Sequence, residues 1–186
     1  MALLVDPNQL QSYVFKRPPE DVSDEEKALL AALAEAVSGW IERRCGPVLQ
    51  VTVTERHDGG TSRLFLRRRP VVEVKSVKEA GVDLTPADFV LYGPEGVLVR
   101  VAGGYEIQWA AGLQSVEVTY TAGRAATVAD VPPEIRGAVL RWTYELYHSQ
   151  PDNITGQVTE SAIQRSGTPP EEVMELLRPY LQVHVA

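Results

Sequence analysis

The chain has 186 residues, 44% of them apolar, and its 18 basic and 25 acidic side chains give a formal net charge of -7. A single cysteine excludes an internal disulfide, and three histidines far apart in sequence argue against structural zinc, so we expect no metal and no cofactor. No apolar run approaches the roughly 20 residues of a membrane-spanning helix, the first ten residues lack the pattern of a signal peptide, and a pI near 5.0 argues against a general nucleic-acid binder.

Two helices are predicted before residue 47. Asp6 followed by Pro7 is a typical helix start, and a short helix is expected to run through about Phe15. Ser23 with Glu26 three residues later forms a capping box, which predicts a second helix over about 24 to 44. Apolar residues recur along it at spacings of three and four, and Gly46-Pro47 ends it.

From Val48 to Gly123 the apolar period changes to two, which indicates strands. We predict six of them, over residues 51–56, 62–66, 71–77, 89–92, 96–101 and 116–121. The sequence Asp58-Gly59-Gly60 predicts a hairpin turn between the first two. Because parallel strands need a crossover of a dozen or more residues, these short connections predict antiparallel pairing.

Helix returns at Pro132-Pro133 and runs to about His148, and a last short helix is expected from Glu171 to Arg178, followed by a β-like tail. The fold class is therefore α+β: a small helical bundle with an inserted antiparallel β-sheet or half-barrel and a C-terminal docking arm. We expect a single domain, residues 1–186. Its parts are a helical core (1–47 and 131–149), a β insertion (48–123), a polar loop (150–168) and a C-terminal arm (169–186).

Known catalytic and phosphate-binding motifs are missing from the sequence, and we expect no enzyme. His57-Asp58 adjoins the predicted hairpin turn and is interpreted as part of that turn. Cys45 lies on the apolar stripe of its helix and is interpreted as a buried packing thiol.

Basic residues concentrate between Arg56 and Lys78, where seven Lys or Arg and two acids give a local charge of +5. The candidate basic patch consists of Arg63, Arg67, Arg68 and Arg69. Such a patch suits an acidic partner, either a phosphate backbone or an acidic protein surface. A solvated turn without a partner is the alternative, and the arginines are not interleaved with aromatic residues as a single-strand platform requires.

The helix after Pro133 carries two apolar stripes. Ile135, Val139, Trp142 and Leu146 form an ordinary core face, and Leu140, Tyr144 and Tyr147 lie nearly opposite. A second stripe must also be covered, either by the sheet or by another copy of the protein. Leu140, Tyr144 and Tyr147 are therefore the candidate subunit interface.

The end of the chain has the character of an amphipathic arm. Val173, Leu176, Leu177 and Tyr180 form an apolar stripe behind the polar loop, and Val183 and Val185 continue it. An amphipathic segment on a long polar tether is typical of a docking device.

Four segments in this order resemble the head-to-tail connector (adaptor) family of tailed bacteriophages. They are Trp40-Ile-Glu-Arg-Arg-Cys-Gly-Pro47, Thr119-Tyr-Thr-Ala-Gly123, Val131-Pro-Pro-Glu-Ile-Arg-Gly-Ala-Val-Leu-Arg-Trp142 and Leu176-Leu-Arg-Pro-Tyr180. The resemblance covers residues 23 to 149 and 170 to 181, and its specificity lies in order and spacing. The arginine run 67–69 and the loop 150–168 have no counterpart in the family pattern.

The resemblance implies a structural virion protein at the capsid vertex, assembled in the host cytoplasm. Its members form a ring, typically twelvefold, beneath the portal protein, receive the next neck, stopper or tail-terminator protein, and extend the channel for double-stranded DNA. A C-terminal segment that grips the portal maps onto about 171 to 185. Twelve copies would carry a formal charge of about -84, which lets DNA slide without specific binding. The arginines would then face a neighbouring protein or the lumen. The alternative function is a nucleic-acid-binding accessory protein that uses the basic hairpin 56–78.

Overall fold

The computed structural model describes residues 3–16, 18–149 and 168–181. The chain divides into two compact units: a helical unit of residues 1–49 and 125–186, and a β unit of residues 50–124. The class is α+β, and the β unit is an insertion whose bounds lie within two residues of the predicted 48–123.

The helical unit contains four α-helices within the described residues: α1 (Pro7–Phe15), α2 (Asp24–Cys45), α3 (Pro133–His148) and α4 (Glu171–Leu177). The first two begin after the predicted cap residues, Asp6 and Ser23. The Asp6 carboxylate accepts hydrogen bonds from the Asn8 and Gln9 amides. Ser23 and Glu26 form the reciprocal capping box at α2, so two otherwise unpaired amides at that helix end are satisfied.

The core of the helical unit lies between the predicted apolar stripes of α2 and α3. The side chains of Ile135 and Val139 are fully buried, and Trp142 meets Trp40 of α2 edge-on with ring centroids 5.1 Å apart. Cys45 is also fully buried. Edge-to-face aromatic packing adds specificity to the burial of apolar area. Among the described helices, none is both long and apolar enough to cross a membrane.

The β unit has eight strands: β1 (Val51–His57), β2 (Arg63–Phe65), β3 (Val71–Glu79), β4 (Val82–Asp83), β5 (Phe89–Tyr92), β6 (Val97–Ala102), β7 (Tyr105–Glu106) and β8 (Val116–Ala122). They form two sheets in which the strands pair antiparallel. The first sheet has the order β1-β8-β3-β4, and the second has the order β2-β6-β5 with β7 paired to β6. The inner faces share one core that includes Leu64, Leu98, Val118, Tyr120 and Trp109.

The predicted hairpin between the first two strands is wrong. β1 pairs with β8, and β2 pairs with β6. The Asp58-Gly60 segment instead bonds to the loop before β8: the Gly59 amide donates to the Gly112 carbonyl, and the Asp58 carboxylate accepts from the Gln114 amide. Turn chemistry was recognised in the sequence, but its partner lies some fifty residues away and no local pattern encodes that pairing.

The insertion begins and ends at one point of the helical unit. The Ala125 amide donates to the Val48 carbonyl at 2.9 Å, and Leu49 forms a parallel bridge with Ala125. The chain therefore leaves the helical unit and returns to it side by side.

Candidate assembly surfaces

The residues that could have suggested chemistry have structural partners. Within the described part of the chain, no group of three or more His, Cys, Asp or Glu side chains is placed to hold a metal ion. His57 lies with its Nε2 atom 3.2 Å from Glu55 Oε2, and Asp58 fixes the Gln114 backbone. His57 thus contacts its own strand, and Asp58 holds the loop before β8.

The basic residues of the 56–78 region lie on both sheets of the β unit, and the patch Arg63, Arg67, Arg68 and Arg69 stays a prediction. Arg56 pairs with Glu117 on the first sheet at 2.8 Å, and Lys78 lies 3.9 Å from Asp83 on the same sheet. Arg63 is on the second sheet, where it pairs with Glu106 at 3.1 Å. The local charge of +5 is thus divided between two sheets and partly neutralised by Glu117 and Glu106, which are 61 and 43 residues from their arginines, and by the nearby Asp83.

The segment 67–69, the arginine loop, is held by its own backbone. The Arg67 amide donates to Glu55 Oε2 and the Arg68 amide donates to the Tyr120 hydroxyl, both at 3.1 Å. The Tyr120 hydroxyl in turn donates to Glu55 Oε1 at 2.6 Å. Since the backbone is tied down, the Arg67 and Arg68 side chains remain exposed, and Arg69 is half-buried. Among the described residues, no carboxylate forms an ion pair with Arg67 or Arg68.

Glu55 and Tyr120 together form the anchor of the arginine loop, and the pKa shifts of these two residues are consistent with their hydrogen bonds. Burial favours the neutral form of Glu55, but nearby His57, the Tyr120 hydroxyl and the Arg67 amide outweigh it and lower the pKa of that carboxyl. Burial and the neighbouring carboxylate raise the pKa of Tyr120. The anchor is therefore an ionised carboxylate that accepts hydrogen bonds, one of them from a neutral phenol, and charge-assisted bonds of this kind are the strong ones.

An apolar face lies beside the arginine loop and was missed in the sequence. Leu64, Leu98 and Leu91 stand opposite one another across β2, β6 and β5, and this row faces the core. Because side chains alternate along a strand, the next positions face outward. They form two rows, Phe65–Val97–Tyr92 and Arg63–Val99–Val90. We call the five apolar members the apolar sheet face.

This face is substantially exposed. Phe65 is 67% exposed and Tyr92 is 55% exposed, although Val99 in the middle of the second row is buried. Val99 belongs to neither of the two core clusters, as expected for a residue on the outer side of the sheet. The sequence could have indicated this face. Arg63 and Phe65 alternate with Leu64 and Leu66, so the two pairs point to opposite sides of the sheet.

The second stripe of α3 is covered by the first helix of the same chain. Leu140 is 7% exposed and belongs to the helical core. Tyr144 packs edge-on against Tyr13, and Tyr147 packs edge-on against Phe15, with centroids 5.9 and 5.2 Å apart. The stripe was expected to be covered either by the sheet or by a second copy, but α1 of the same chain packs against its two tyrosines. The interface assignment stays a prediction, and α1 occupies much of the surface it would use.

The described part of the C-terminal arm packs on α3. Val173 and Leu177 are fully buried, and the Tyr180 hydroxyl donates to the Glu134 carboxylate at 2.8 Å. A Cβ on Gly137 would lie 3.7 Å from Leu176 Cδ1, which is an ordinary van der Waals distance. Val183, Val185 and residues 150–167 of the polar loop lie outside the described residues. The portal assignment stays a prediction.

Charge is segregated between the units. Residues 50–124 contain nine basic and nine acidic side chains, so the β unit has no net charge and the helical unit carries the whole -7. Acids are densest where α2 begins: Glu20, Asp21, Asp24, Glu25 and Glu26 fall within seven residues. We call residues 20–26 the acidic segment.

The fold is shared with chains of known structure, three of which come from particles of a gene transfer agent (GTA). One is in the virion of the native particle, with 19% identity, a TM-score of 0.64, and coverage of 100% of this chain and 95% of that chain. Another is in the neck of the empty particle, computed with C6 symmetry. It has 21% identity and a TM-score of 0.65, and the match covers 100% of this chain and 95% of that chain. A third is in the neck of the native particle, computed with C12 symmetry. It has 18% identity and a TM-score of 0.55, and the match covers 100% of this chain and 94% of that chain. No protein-family model matches the chain, and no curated protein sequence matches it.

Proposed function

We propose that this chain is a structural protein of the neck of a phage-like particle. The observation that carries the proposal is the likeness in fold, which extends over the whole chain and over nearly all of each neighbour. A local motif can recur in unrelated proteins, whereas here the helical unit and its β insertion are matched together. Fold alone does not assign function, so the neck role rests on what these neighbours are part of.

In finer detail, we propose a ring connector between the portal vertex and the next neck or tail component. Two of the neighbours come from necks computed with sixfold and twelvefold symmetry, which supports a ring of twelve copies. A closed ring of this kind requires two different, complementary surfaces on each copy. The separation of the negative charge from the arginine loop provides such a difference.

The role is mechanical. Double-stranded DNA passes through the ring during packaging and ejection, and an acidic wall does not retain phosphates. The helical unit, with its charge of -7, suits this lining.

Imaging of particles tests the proposal. The chain should appear as a ring next to the portal in the wild-type particle, and native mass measurement should find portal and chain together. Particles that assemble and inject DNA normally without the chain would contradict the neck role.

The portal contact is tested by a variant that ends at Leu181, which keeps α4 and removes residues 182–186. We expect a folded subunit that attaches poorly to the portal. The matched control is Leu113→Ser, at a residue 88% exposed in the β unit and outside the arm, which should fold and attach to the portal normally. Normal attachment of the shortened chain would contradict the proposal that Val183 and Val185 contact the portal.

A nucleic-acid-binding accessory protein is the second candidate, and the exposed side chains of Arg67 and Arg68 favour it. That function requires affinity for duplex or single strands that falls steeply with salt. Arg67→Ala with Arg68→Ala should then reduce both the affinity and the salt dependence in a filter-binding titration. Binding that is absent at low salt would exclude this candidate.

A further inference from the structure

We propose that the apolar sheet face and the arginine loop together bind the acidic segment, residues 20–26, of a second copy of this chain. The inference rests on the proposed ring and names the contact that closes it from copy to copy. It follows from the exposure of the sheet face, the rigidity of the arginine loop and the location of the negative charge.

The sheet face has the composition of a protein-binding surface. Phe65, Val97 and Tyr92 form one continuous row across three strands, and Val90 is 43% exposed in the next row. A protein that exposes adjacent aromatic and β-branched side chains on the outer face of a sheet leaves apolar area for a partner to cover. Aromatic residues and arginine are also the residues that dominate binding energy at interfaces.

The arginine loop supplies a fixed charge next to this face. The Glu55 carboxylate and the Tyr120 hydroxyl hold the backbone amides of Arg67 and Arg68, so the loop does not have to be ordered on binding. Glu106 already engages Arg63. Within the described chain the side chains of Arg67 and Arg68 lack a carboxylate partner and are available to one from outside.

The occupant is identified by charge. The β unit is neutral, and the helical unit carries the entire excess of seven negative charges. Four of the five carboxylates in the acidic segment, all but Glu26, belong to exposed residues. Asp24 has Lys27 3.7 Å away, and Glu26 is used in the capping box, so Glu20, Asp21 and Glu25 are the carboxylates left for a partner.

Symmetry requires this kind of pairing. In a ring of more than two copies each subunit offers one surface forward and a different surface backward, and the two must be complementary. A basic, apolar face on the β unit and an acidic segment on the helical unit meet that condition within one sequence. DNA would use the arginines but not the valines of the face, and it would be repelled by the charge of the whole chain.

A charge swap in the full-length chain tests the pairing. We expect Arg67→Glu with Arg68→Glu to weaken self-association about tenfold or more in sedimentation, and Glu20→Lys with Glu25→Lys to do the same. Either pair alone places like charges opposite each other. The chain with all four changes should assemble again, because the attraction is restored with reversed sign. Lys75→Glu with Lys78→Glu, on the first sheet, changes the charge equally and should leave assembly unchanged.

A photoreactive phenylalanine analogue at position 92 locates the contact in assembled particles. The expected product is a link between two copies that joins residue 92 to a peptide containing residues 20–26. A link to DNA, to a different protein or to another segment overturns the inference. Phe65→Ser should also weaken assembly, whereas Leu113→Ser, at a residue 88% exposed elsewhere in the β unit, should not.

The outcomes separate this inference from the neck role. Rings that form equally in the wild type and in both charge-reversed variants, or a four-change chain that stays dissociated, overturn the contact and leave the neck role standing. A wild-type chain that is monomeric in solution and absent from particles overturns both.

Discussion

Glu55 shows what a single residue contributes that its sequence context does not reveal. It alternates with threonines on an edge strand, and the alternation predicts correctly that it shares a side with Val53. Its task is specified by Tyr120 and the Arg67 amide, which are 65 and 12 residues away in sequence. The arginines themselves were found by composition. Their anchor was not, because hydrogen bonds between distant residues leave no periodic signal.

Removal of one hydroxyl tests the anchor. Tyr120→Phe leaves a Glu55 oxygen and the Arg68 amide without their partner, so we expect a loss of about 1–3 kcal/mol in the free energy of unfolding. Urea unfolding of the full chain measures it. The matched control is Tyr105→Phe, at a residue 77% exposed, which should change stability very little. Equal stability of both variants would show that the anchor contributes nothing.

The pH dependence of stability has a definite sign at this site. The pKa of Glu55 is lower in the folded chain than in the unfolded chain, so its stabilising contribution is full above its unfolded pKa, near 4.3, and is lost as the pH falls through the folded pKa. Glu55→Gln should therefore flatten the rise in unfolding free energy that the wild type shows below about pH 5. Glu73→Gln, at an exposed position of β3, is the control and should retain the rise. An unchanged profile in Glu55→Gln would contradict the assignment.

At the scale of elements, the sequence was most informative where order is local. Both predicted cap residues, Asp6 and Ser23, start helices in the structure, and most predicted strands exist within a residue or two. The two-residue strands β4 and β7 were not predicted, because they are too short to show a period. The predicted pairing of β1 with β2 was wrong, because the pairing and register of a strand depend on partners far along the chain.

Gly59 fixes the true pairing of that turn. A Cβ atom there would lie 1.8 Å from the Ala110 carbonyl oxygen, so Gly59→Ala must separate the two loops and should cost about 2 kcal/mol or more. Gly103→Ala is the matched control. Gly103 has a φ of +57° but open space around it, and the change should cost only about 1 kcal/mol of backbone strain. Thermal unfolding ranks the two variants, and a smaller loss at position 59 would refute the close approach.

At the scale of the molecule, two units share one chain, and each has its own core. The apolar period of the sequence changes at about residues 48 and 123, close to where the two units meet along the chain. Composition did not reveal that the β unit has two sheets, nor that one of them keeps an apolar outer face. It also placed the arginines without the neutralising carboxylates, whose positions depend on the complete fold.

The adjacent ends of the insertion make the helical unit testable alone. Val48 and Ala125 are joined by a backbone hydrogen bond, so about eight Gly and Ser residues in place of 50–124 can reconnect the chain. We expect the shortened protein to retain its helical circular dichroism and a cooperative melt and, under the contact proposed above, not to form rings. Loss of cooperative folding would instead favour the single domain predicted from the sequence.

The arginine loop is held through its backbone, so its path does not depend on the side chains at positions 67 and 68. Glu55 and Tyr120 grip only main-chain amides, which every residue except proline possesses. The side chains at 67 and 68 can therefore be exchanged for other types while the loop keeps its path. Under the proposed contact between copies, a library at these two positions would yield subunits with altered partner preference on an unchanged scaffold.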